Sequence, residues 1–170
     1  PDAWSKRAEI LRADFFTFVE SRTADDAQWP PSFAQIVGVV HEQAADDDYV
    51  LTAAGGLPGE LNINWLTKSI ASFDCEYGYS CMGYEISGAW GAAFAERPGQ
   101  VFALVGDGSY LMMNTDIYAS VLSGKKFTLL VCDNAGYAVI ERLQVGQGGA
   151  SYNNMLRDSR GPNADVREDF

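Results

Sequence analysis

Two segments decide the fold of this chain: VFALVGDGS at residues 101–109 and FTLLVCDNAG at residues 127–136. Each begins with a continuous apolar run, which is typical of a strand buried in a parallel sheet. Each ends in a glycine-containing turn with a polar side chain, Asp107 in the first and Asn134 in the second. One helix fits between them, so the pattern predicts a parallel βαβ unit. In such a unit both turns lie at the carboxyl edge of the sheet, where open α/β sheets bind ligands.

The side chains of these two turns have the chemistry of a metal and phosphate site. A carboxylate and an amide oxygen are hard ligands for Mg²⁺, which completes its coordination with water and phosphate oxygens. The glycines on either side of Asp107 allow backbone N–H groups to approach a phosphate closely. The alternative is a pair of ordinary turns, in which Asp107 caps a helix and Asn134 forms a turn. The strand, the turn and the Asn-x-Gly ending together favour a site for a Mg²⁺-bound diphosphate.

Helical and strand-like patterns alternate along the rest of the chain. Ser32 and Gln35 have the spacing of a capping box at the start of a helix, and Gly124 marks the end of another helix. The predicted elements are helices at 3–22, from 32 onward, and at 82–96, 113–123 and 137–144, strands at 49–53, 101–105 and 127–132, and glycine-rich loops at 55–59 and 145–151. This order predicts an α/β fold, a doubly wound parallel sheet with helices on both faces.

The elements divide the chain into two predicted regions. Residues 1–48 hold the N-terminal helices that lead into the domain, and residues 49–170 form the cofactor-binding domain. Apolar residues recur at helical spacing in both helices. They are Trp4, Ala8, Leu11, Phe15 and Phe18 in the first helix, and Phe33, Ile36, Val37 and Val40 as the buried stripe of the second. Residues 165–170 resemble the start of another helix, so we expect a fragment that is cut at both ends.

Composition argues against several classes of function. The formal net charge is −11, from 23 acidic and 12 basic residues, which disfavours nucleic acids and anionic membranes as partners. No apolar run approaches the roughly 20 residues that span a bilayer. The three cysteines have no framework spacing and indicate a reduced, cytoplasmic protein. The single histidine, His41, falls in a predicted helix and is expected to be structural, not a general base.

Three stretches resemble a known family: AAGGLPGEL at 53–61, EYGYSCMGYEI at 76–86 and VGDGSYLMMN at 105–114. Nearly the whole chain resembles the carboxyl-terminal, diphosphate-binding domain of thiamine-diphosphate enzymes of the acetohydroxyacid synthase superfamily. The superfamily shares the Met-Gly and Gly-Asp-Gly elements. Two further sequences, Tyr-Gly-Tyr-Ser-Cys-Met-Gly-Tyr-Glu in the second stretch and Gly-Leu-Pro-Gly in the first, resemble the branch that hydrolyses cyclic diones in myo-inositol degradation.

The resemblance implies a role for each matching position. The side chains of Asp107 and Asn134 and the backbone carbonyl of Gly136 would ligate Mg²⁺. Met82 would force the two rings of the cofactor into a V, and the alternative for this residue is core packing. Asp133 stands where many relatives have another Asn. The full predicted set of cofactor-binding residues is Gly55, Gly56, Leu57, Ser80, Met82, Gly106, Asp107, Gly108, Ser109, Asn134, Gly136 and Tyr137.

The implied function is a thiamine-diphosphate- and Mg²⁺-dependent hydrolase that cleaves a C–C bond of 3D-(3,5/4)-trihydroxycyclohexane-1,2-dione to give 5-deoxy-glucuronate. The activating glutamate would come from a pyrimidine-binding domain of the same or another subunit of a homo-oligomer. By itself this fragment is expected to be inactive. Tyr137, Ile140 and residues 145–154 are candidates for substrate selection. The alternatives are an acetolactate synthase-like or 2-oxoacid decarboxylase-like enzyme, or a non-catalytic cofactor-binding subunit.

Overall fold

A computed structural model describes residues 2–159, which form two compact units. The first unit comprises residues up to 44 together with 60–66, and the second comprises residues 45–59 and those from 67 onward. The helix predicted at 165–170 lies outside the described residues. The division of the chain at residue 48 into two functional regions stays a prediction.

The first unit contains two long helices, α1 (Asp2–Thr23) and α2 (Phe33–Gln43). The predicted capping box is confirmed at the start of α2, because Ser32 accepts from the Gln35 N–H and the Gln35 side chain accepts from the Ser32 N–H. The helix predicted at 3–22 is also confirmed, but its apolar stripe is exposed, with Trp4 78% accessible and only Val19 buried in α1. This stripe therefore contributes little to the core.

The predicted buried stripe of α2 is only partly correct. Val37 and Val40 are buried, as is Ala34, whereas Phe33 and Ile36 are only half-buried. His41 lies 2.8 Å through Nε2 from the Leu66 carbonyl oxygen, and its ring meets Trp65 edge-on at 5.0 Å. These contacts fit the structural role expected for the only histidine.

The second unit is built on a four-stranded, fully parallel sheet, which confirms the predicted α/β fold class. The strands are β1 (Tyr49–Thr52), β2 (Phe73–Cys75), β3 (Val101–Gly106) and β4 (Thr128–Cys132), in the spatial order β2-β1-β3-β4. The chain crosses from β1 to β2 on one side and then returns to β3 on the other. The connection that follows β1 and the connection that follows β3 therefore lead to opposite sides of the sheet. Ligands bind at such switch points in α/β proteins.

Helices surround this sheet. They are α3 (Gly56–Asn64), α4 (Tyr84–Phe94), α5 (Asp107–Met113), α6 (Thr115–Ser123) and α7 (Ala138–Gly146), followed by a short 3₁₀ turn at Leu156–Ser159. A core cluster of Leu51, Ile86, Ala89, Val101, Ala103 and Val105 packs α4 against β1 and β3. No helix among residues 2–159 combines the length and apolar character needed to cross a membrane.

Several predicted boundaries are wrong for identifiable reasons. The predicted loop at 55–59 is mostly helix, because Gly55 at φ +118° makes the turn and Pro58 falls in the first helical turn, where its missing N–H costs little. The helix predicted at 113–123 begins directly after β3 at Asp107 and is interrupted at Asn114. Its predicted end is confirmed, since Gly124 takes the left-handed conformation at φ +67°.

The remaining corrections concern the strands and the last helix. Strand β2 was not predicted, because it is three half-buried residues long and has no apolar run. Strand β4, predicted to be buried, lies at the edge of the described sheet with Val131 42% exposed. Helix α7 extends to Gly146, so the loop predicted from residue 145 begins later.

Candidate functional site

The carboxyl ends of β3 and β4 bring the predicted metal-ligating residues together. Gly106 pairs with Cys132 at the last step of the β3–β4 ladder, so the turns that follow lie side by side. The Asp107 carboxylate accepts a hydrogen bond through Oδ2 from the Gly136 N–H at 2.7 Å. Asp107 is thus joined directly to the turn that contains Asn134 and Gly136.

Two carboxylates, those of Asp107 and Asp133, lie close together at this point. Burial raises the pKa of Asp107, and the nearby carboxylate of Asp133 raises it further, while the Gly136 and Gly108 N–H groups lower it. A neighbouring carboxylate disfavours the ionised form of Asp107, and a bound divalent cation would reverse that preference. The electrostatics of the turn therefore suit a cation.

Asn134 supplies an oxygen that is available for such a cation. Its Oδ1 atom is buried and has no hydrogen-bond partner among residues 2–159. A buried acceptor without a partner is destabilising, and native proteins rarely retain one without a reason. Within the same residues no cluster of three or more His, Cys, Asp or Glu side chains has the geometry of a metal site. A cation here would therefore depend on one carboxylate, one amide oxygen and backbone carbonyls, a donor set that suits Mg²⁺.

A returning segment, residues 154–156, holds the turn of residues 133–137 in place, and we call it the clasp. Tyr137 donates its N–H to the Asn154 carbonyl at 2.7 Å, and Leu156 donates to the Ala135 carbonyl at 2.8 Å. Gly136 lies so close to the clasp that a Cβ atom would come within 2.5 Å of the Asn154 carbonyl oxygen. Its φ of +143° likewise favours glycine.

Met82, Gly108 and Tyr137 form a cradle around bare backbone. A Cβ atom on Gly108 would lie 2.7 Å from Cε1 of Tyr137 and 3.1 Å from Cε of Met82. The absence of a side chain at Gly108 therefore lets a thioether and an aromatic ring pack directly against the backbone at the start of α5. Ser109, the next residue, is 1% exposed, so its side chain belongs to the interior.

The turn that contains Ser80 and Met82 has an unusual backbone. Ser80 has φ +58° and Gly83 has φ +96°, both in the left-handed region. The Glu76 carboxylate stabilises the turn by accepting from the N–H groups of Cys81 at 2.8 Å and Tyr79 at 2.9 Å. The Cys81 bond contributes most to lowering the pKa of Glu76.

The other predicted cofactor residues follow β1. Gly55 makes the turn after this strand, Gly56 and Leu57 begin α3, and the Leu57 side chain is 2% exposed. Because Leu57 is buried, its backbone is the part that could face a ligand. Sequence reasoning missed the clasp and the buried Glu85 beside Gly83. The clasp depends on long-range backbone contacts that have no local signature, and the sequence does not indicate the burial of Glu85.

Comparisons with known proteins agree with this geometry. Residues 59–167 match the family described as thiamine pyrophosphate enzyme, C-terminal TPP binding domain. The chain is similar to proteins named 3D-(3,5/4)-trihydroxycyclohexane-1,2-dione hydrolase. It is 42% identical to the one from Clostridium tetani over 123 residues, which is 72% of this chain and 19% of that protein. For Geobacillus thermodenitrificans the identity is 42% over 117 residues, 69% of this chain and 18% of the relative. The chain thus spans about a fifth of the length of these curated relatives.

Proposed function

The chain belongs to the family of thiamine pyrophosphate enzymes, and we propose that its second unit binds thiamine diphosphate through Mg²⁺ as part of a C–C hydrolase. The observation that carries the metal assignment is the buried Oδ1 of Asn134, which has no hydrogen-bond partner among residues 2–159 and lies in the same turn as the Gly136 N–H that donates to the Asp107 carboxylate. In this proposal those two side chains and the Gly136 carbonyl bind Mg²⁺, and the cation neutralises the charge shared by Asp107 and Asp133.

The cradle holds the diphosphate and positions the rest of the cofactor. The bare backbone of Gly108 allows close approach of a phosphate, with Gly106, Ser109 and the turn at 55–57 completing the binding set. Met82 and Tyr137 border this space, as their distances to Gly108 show. We assign to Met82 the support of the bent cofactor, and to the backbone of Ser80 and Met82 the binding of the aminopyrimidine.

The chemistry itself belongs to the cofactor. When bound, thiamine diphosphate supplies a nucleophilic carbon and accepts the electron pair released when a C–C bond next to a carbonyl breaks. The residues of this chain fix the cofactor's conformation, which brings reacting groups into proximity. They do not include the activating glutamate of this proposal, which we assign to a pyrimidine-binding domain of the same or another subunit.

The proposed substrate is 3D-(3,5/4)-trihydroxycyclohexane-1,2-dione, opened to 5-deoxy-glucuronate in inositol degradation. The names of relatives about 40% identical to this chain support this choice. A cytoplasmic homo-oligomer remains the predicted form, with Tyr137, Ile140 and residues 145–154 as the local candidates for substrate selection. Tyr137 and Ile140 are both exposed on the chain as described.

The test uses the complete protein that contains this chain, supplied with Mg²⁺ and thiamine diphosphate. The cyclic dione and pyruvate are offered separately, and products are identified by mass spectrometry. We expect ring opening that is lost in Asp107→Ala and retained in the control Asp47→Ala, which removes an exposed carboxylate.

Three results would contradict this proposal. Turnover of pyruvate alone would indicate a 2-oxoacid decarboxylase-like or acetolactate synthase-like enzyme. Cofactor binding without turnover of either compound would indicate a non-catalytic subunit. Ring opening that persists in Asp107→Ala would remove the metal assignment.

A further inference from the structure

Glu85 is a fully buried carboxyl group that the proposed function leaves unused. It lies in the first turn of α4 and is 0% exposed. Glutamate is almost never fully buried unless it is paired. Its Oε2 accepts a hydrogen bond from the Gly83 N–H at 2.9 Å, whereas Oε1 has no hydrogen-bond partner among residues 2–159. A carboxyl group in this state needs an explanation beyond core packing.

The bond to Gly83 acts on the backbone of Met82. Because a trans peptide unit is planar, its N–H and C=O groups point in opposite directions. Fixing the Gly83 N–H therefore also fixes the direction of the Met82 carbonyl group, which belongs to the same peptide unit. Only glycine fits at position 83 of this peptide unit, since a Cβ atom there would lie 2.3 Å from Cγ of Met113.

Glu85 also faces the other side of the cradle. Gly108, at the start of α5, lies close to Met82, and Met113, at the end of α5, packs against Gly83, so this helix contacts the turn that Glu85 holds. Burial raises the pKa of Glu85, while the Ser109 hydroxyl and the Gly83 N–H lower it. Ser109 is itself buried and directly follows Gly108, whose bare backbone approaches Met82. The turn at residues 80–83 thus packs against α5, and Glu85 holds that turn through the Gly83 N–H.

We propose that Glu85 is a positioning residue that sets the direction of the Met82 carbonyl and joins its turn to Gly108–Ser109 in the cofactor cradle. The proposal rests on thiamine diphosphate binding at this site. It differs from a helix-capping role, because a cap stabilises α4 without changing the affinity for a cofactor. The two roles are separable by experiment.

The experiment measures the thiamine diphosphate dissociation constant of the complete protein in saturating Mg²⁺, by calorimetry and tryptophan fluorescence. The variants are Glu85→Ala, Glu85→Asp and Glu85→Gln. Ser87→Ala is the matched control, since it removes a hydrogen bond from α4 to Asp116 of α6 but lies outside the cradle. Thermal unfolding without cofactor reports the stability of each variant.

We expect Glu85→Ala and Glu85→Asp to raise the dissociation constant at least tenfold, because neither side chain reaches the Gly83 N–H. Glu85→Gln retains an acceptor oxygen and should restore the constant to within threefold of the wild-type value. Ser87→Ala should leave it unchanged even where its melting temperature falls. If Glu85→Ala does not fold, Glu85→Asp decides the question, since it keeps the carboxyl group and shortens the side chain by one methylene.

Two results would overturn the proposal. Wild-type affinity in Glu85→Ala or Glu85→Asp would mean that Glu85 only caps the helix. The same conclusion would follow if Ser87→Ala lost as much affinity for thiamine diphosphate as the Glu85 variants. Failure of the wild-type protein itself to bind thiamine diphosphate would instead overturn the proposed function, and the positioning role with it.

Discussion

At the scale of single residues, the candidate site contains buried oxygen atoms that have no hydrogen-bond partner among residues 2–159. Asn134 Oδ1 and Glu85 Oε1 are both buried without partners in the described part of the chain, and Asp107 shares its surroundings with a second carboxylate. Each arrangement lowers the stability of the protein in the absence of ligand. A protein that retains such groups exchanges stability for binding, as is common at functional sites.

Asn134→Ala should separate these two quantities. Loss of the amide oxygen is expected to weaken Mg²⁺-dependent binding of thiamine diphosphate at least tenfold. The free energy of unfolding without cofactor should be unchanged or about 1 kcal/mol higher, because a buried unpartnered acceptor is removed. Denaturant unfolding with and without Mg²⁺ and cofactor measures both. Gln147→Ala, which removes an exposed amide at the end of α7, should change neither quantity. A loss of folding stability in Asn134→Ala as large as its loss of binding free energy would argue against the metal role.

Gly108→Ala should fill the cradle without unfolding the protein. The new methyl group would contact the flexible end of Met82 and the ring of Tyr137, both of which can move. We expect cofactor affinity to fall by at least tenfold with a small change in melting temperature. The control is Gly91→Ala in α4, where a Cβ atom meets nothing within 4 Å and alanine should stabilise the helix by about 0.5–1 kcal/mol. Unchanged affinity in Gly108→Ala would show that the cradle does not face the cofactor.

At the scale of elements, sequence reasoning succeeds where local pattern and tertiary structure agree. The apolar runs of β1 and β3 and the capping box of α2 have strong local signatures, and all three are found. The proximity of Asp107 to the turn of Asn134 follows from the parallel βαβ rule alone. The start of α5 was missed because glycines at 106 and 108 indicate a loop by propensity, whereas packing beside β3 allows a helix to begin at once.

The clasp illustrates what local pattern does not contain. Its contacts to residues 135–137 are backbone hydrogen bonds, so no residue type in the sequence indicates them. The burial of Glu85 could not be predicted from the sequence either, because it depends on the packing around the turn at residues 80–83. The clasp joins segments distant in sequence, whereas Glu85 bonds to a backbone N–H only two residues away and its burial is set by packing.

Asn154→Ala should loosen the clasp. The Asn154 side chain donates to Gln144 at 2.7 Å and to Glu141 at 3.2 Å, which ties the clasp to α7. We expect faster hydrogen exchange at the amides of Tyr137 and Leu156 and a several-fold weaker affinity for Mg²⁺ and cofactor. Hydrogen exchange with mass spectrometry measures the first effect. Asn153→Gly is the matched control, because glycine suits the φ of +58° at that position; equal exchange rates in both variants would rule out this role.

At the scale of the whole molecule, charge sets the conditions for binding. The chain has a net charge of −11, and a diphosphate is itself an anion. Long-range electrostatics therefore oppose the encounter between the two. In the proposed site, a divalent cation held by Asp107 and Asn134 would make the local electrostatic potential positive.

Removal of Mg²⁺ should consequently abolish cofactor binding altogether. We expect no detectable binding of thiamine diphosphate by calorimetry after treatment with a chelator. Binding should return on addition of Mg²⁺ or Mn²⁺, but not of sodium chloride at matched ionic strength. Equal recovery with sodium chloride would mean that general screening, and not a specific cation, controls the affinity.

The clasp also has a consequence for the order in which the chain acquires its site during synthesis. The turn at residues 133–137 emerges from the ribosome before residues 154–156, yet it takes its backbone hydrogen bonds from them. A nascent chain that ends before the clasp therefore has both metal-ligating side chains without the restraint that orients them. Closing the intervening loop costs little entropy at this length. Competence to load the cofactor should thus arise abruptly, when the clasp has emerged from the ribosome, rather than gradually as the strands form.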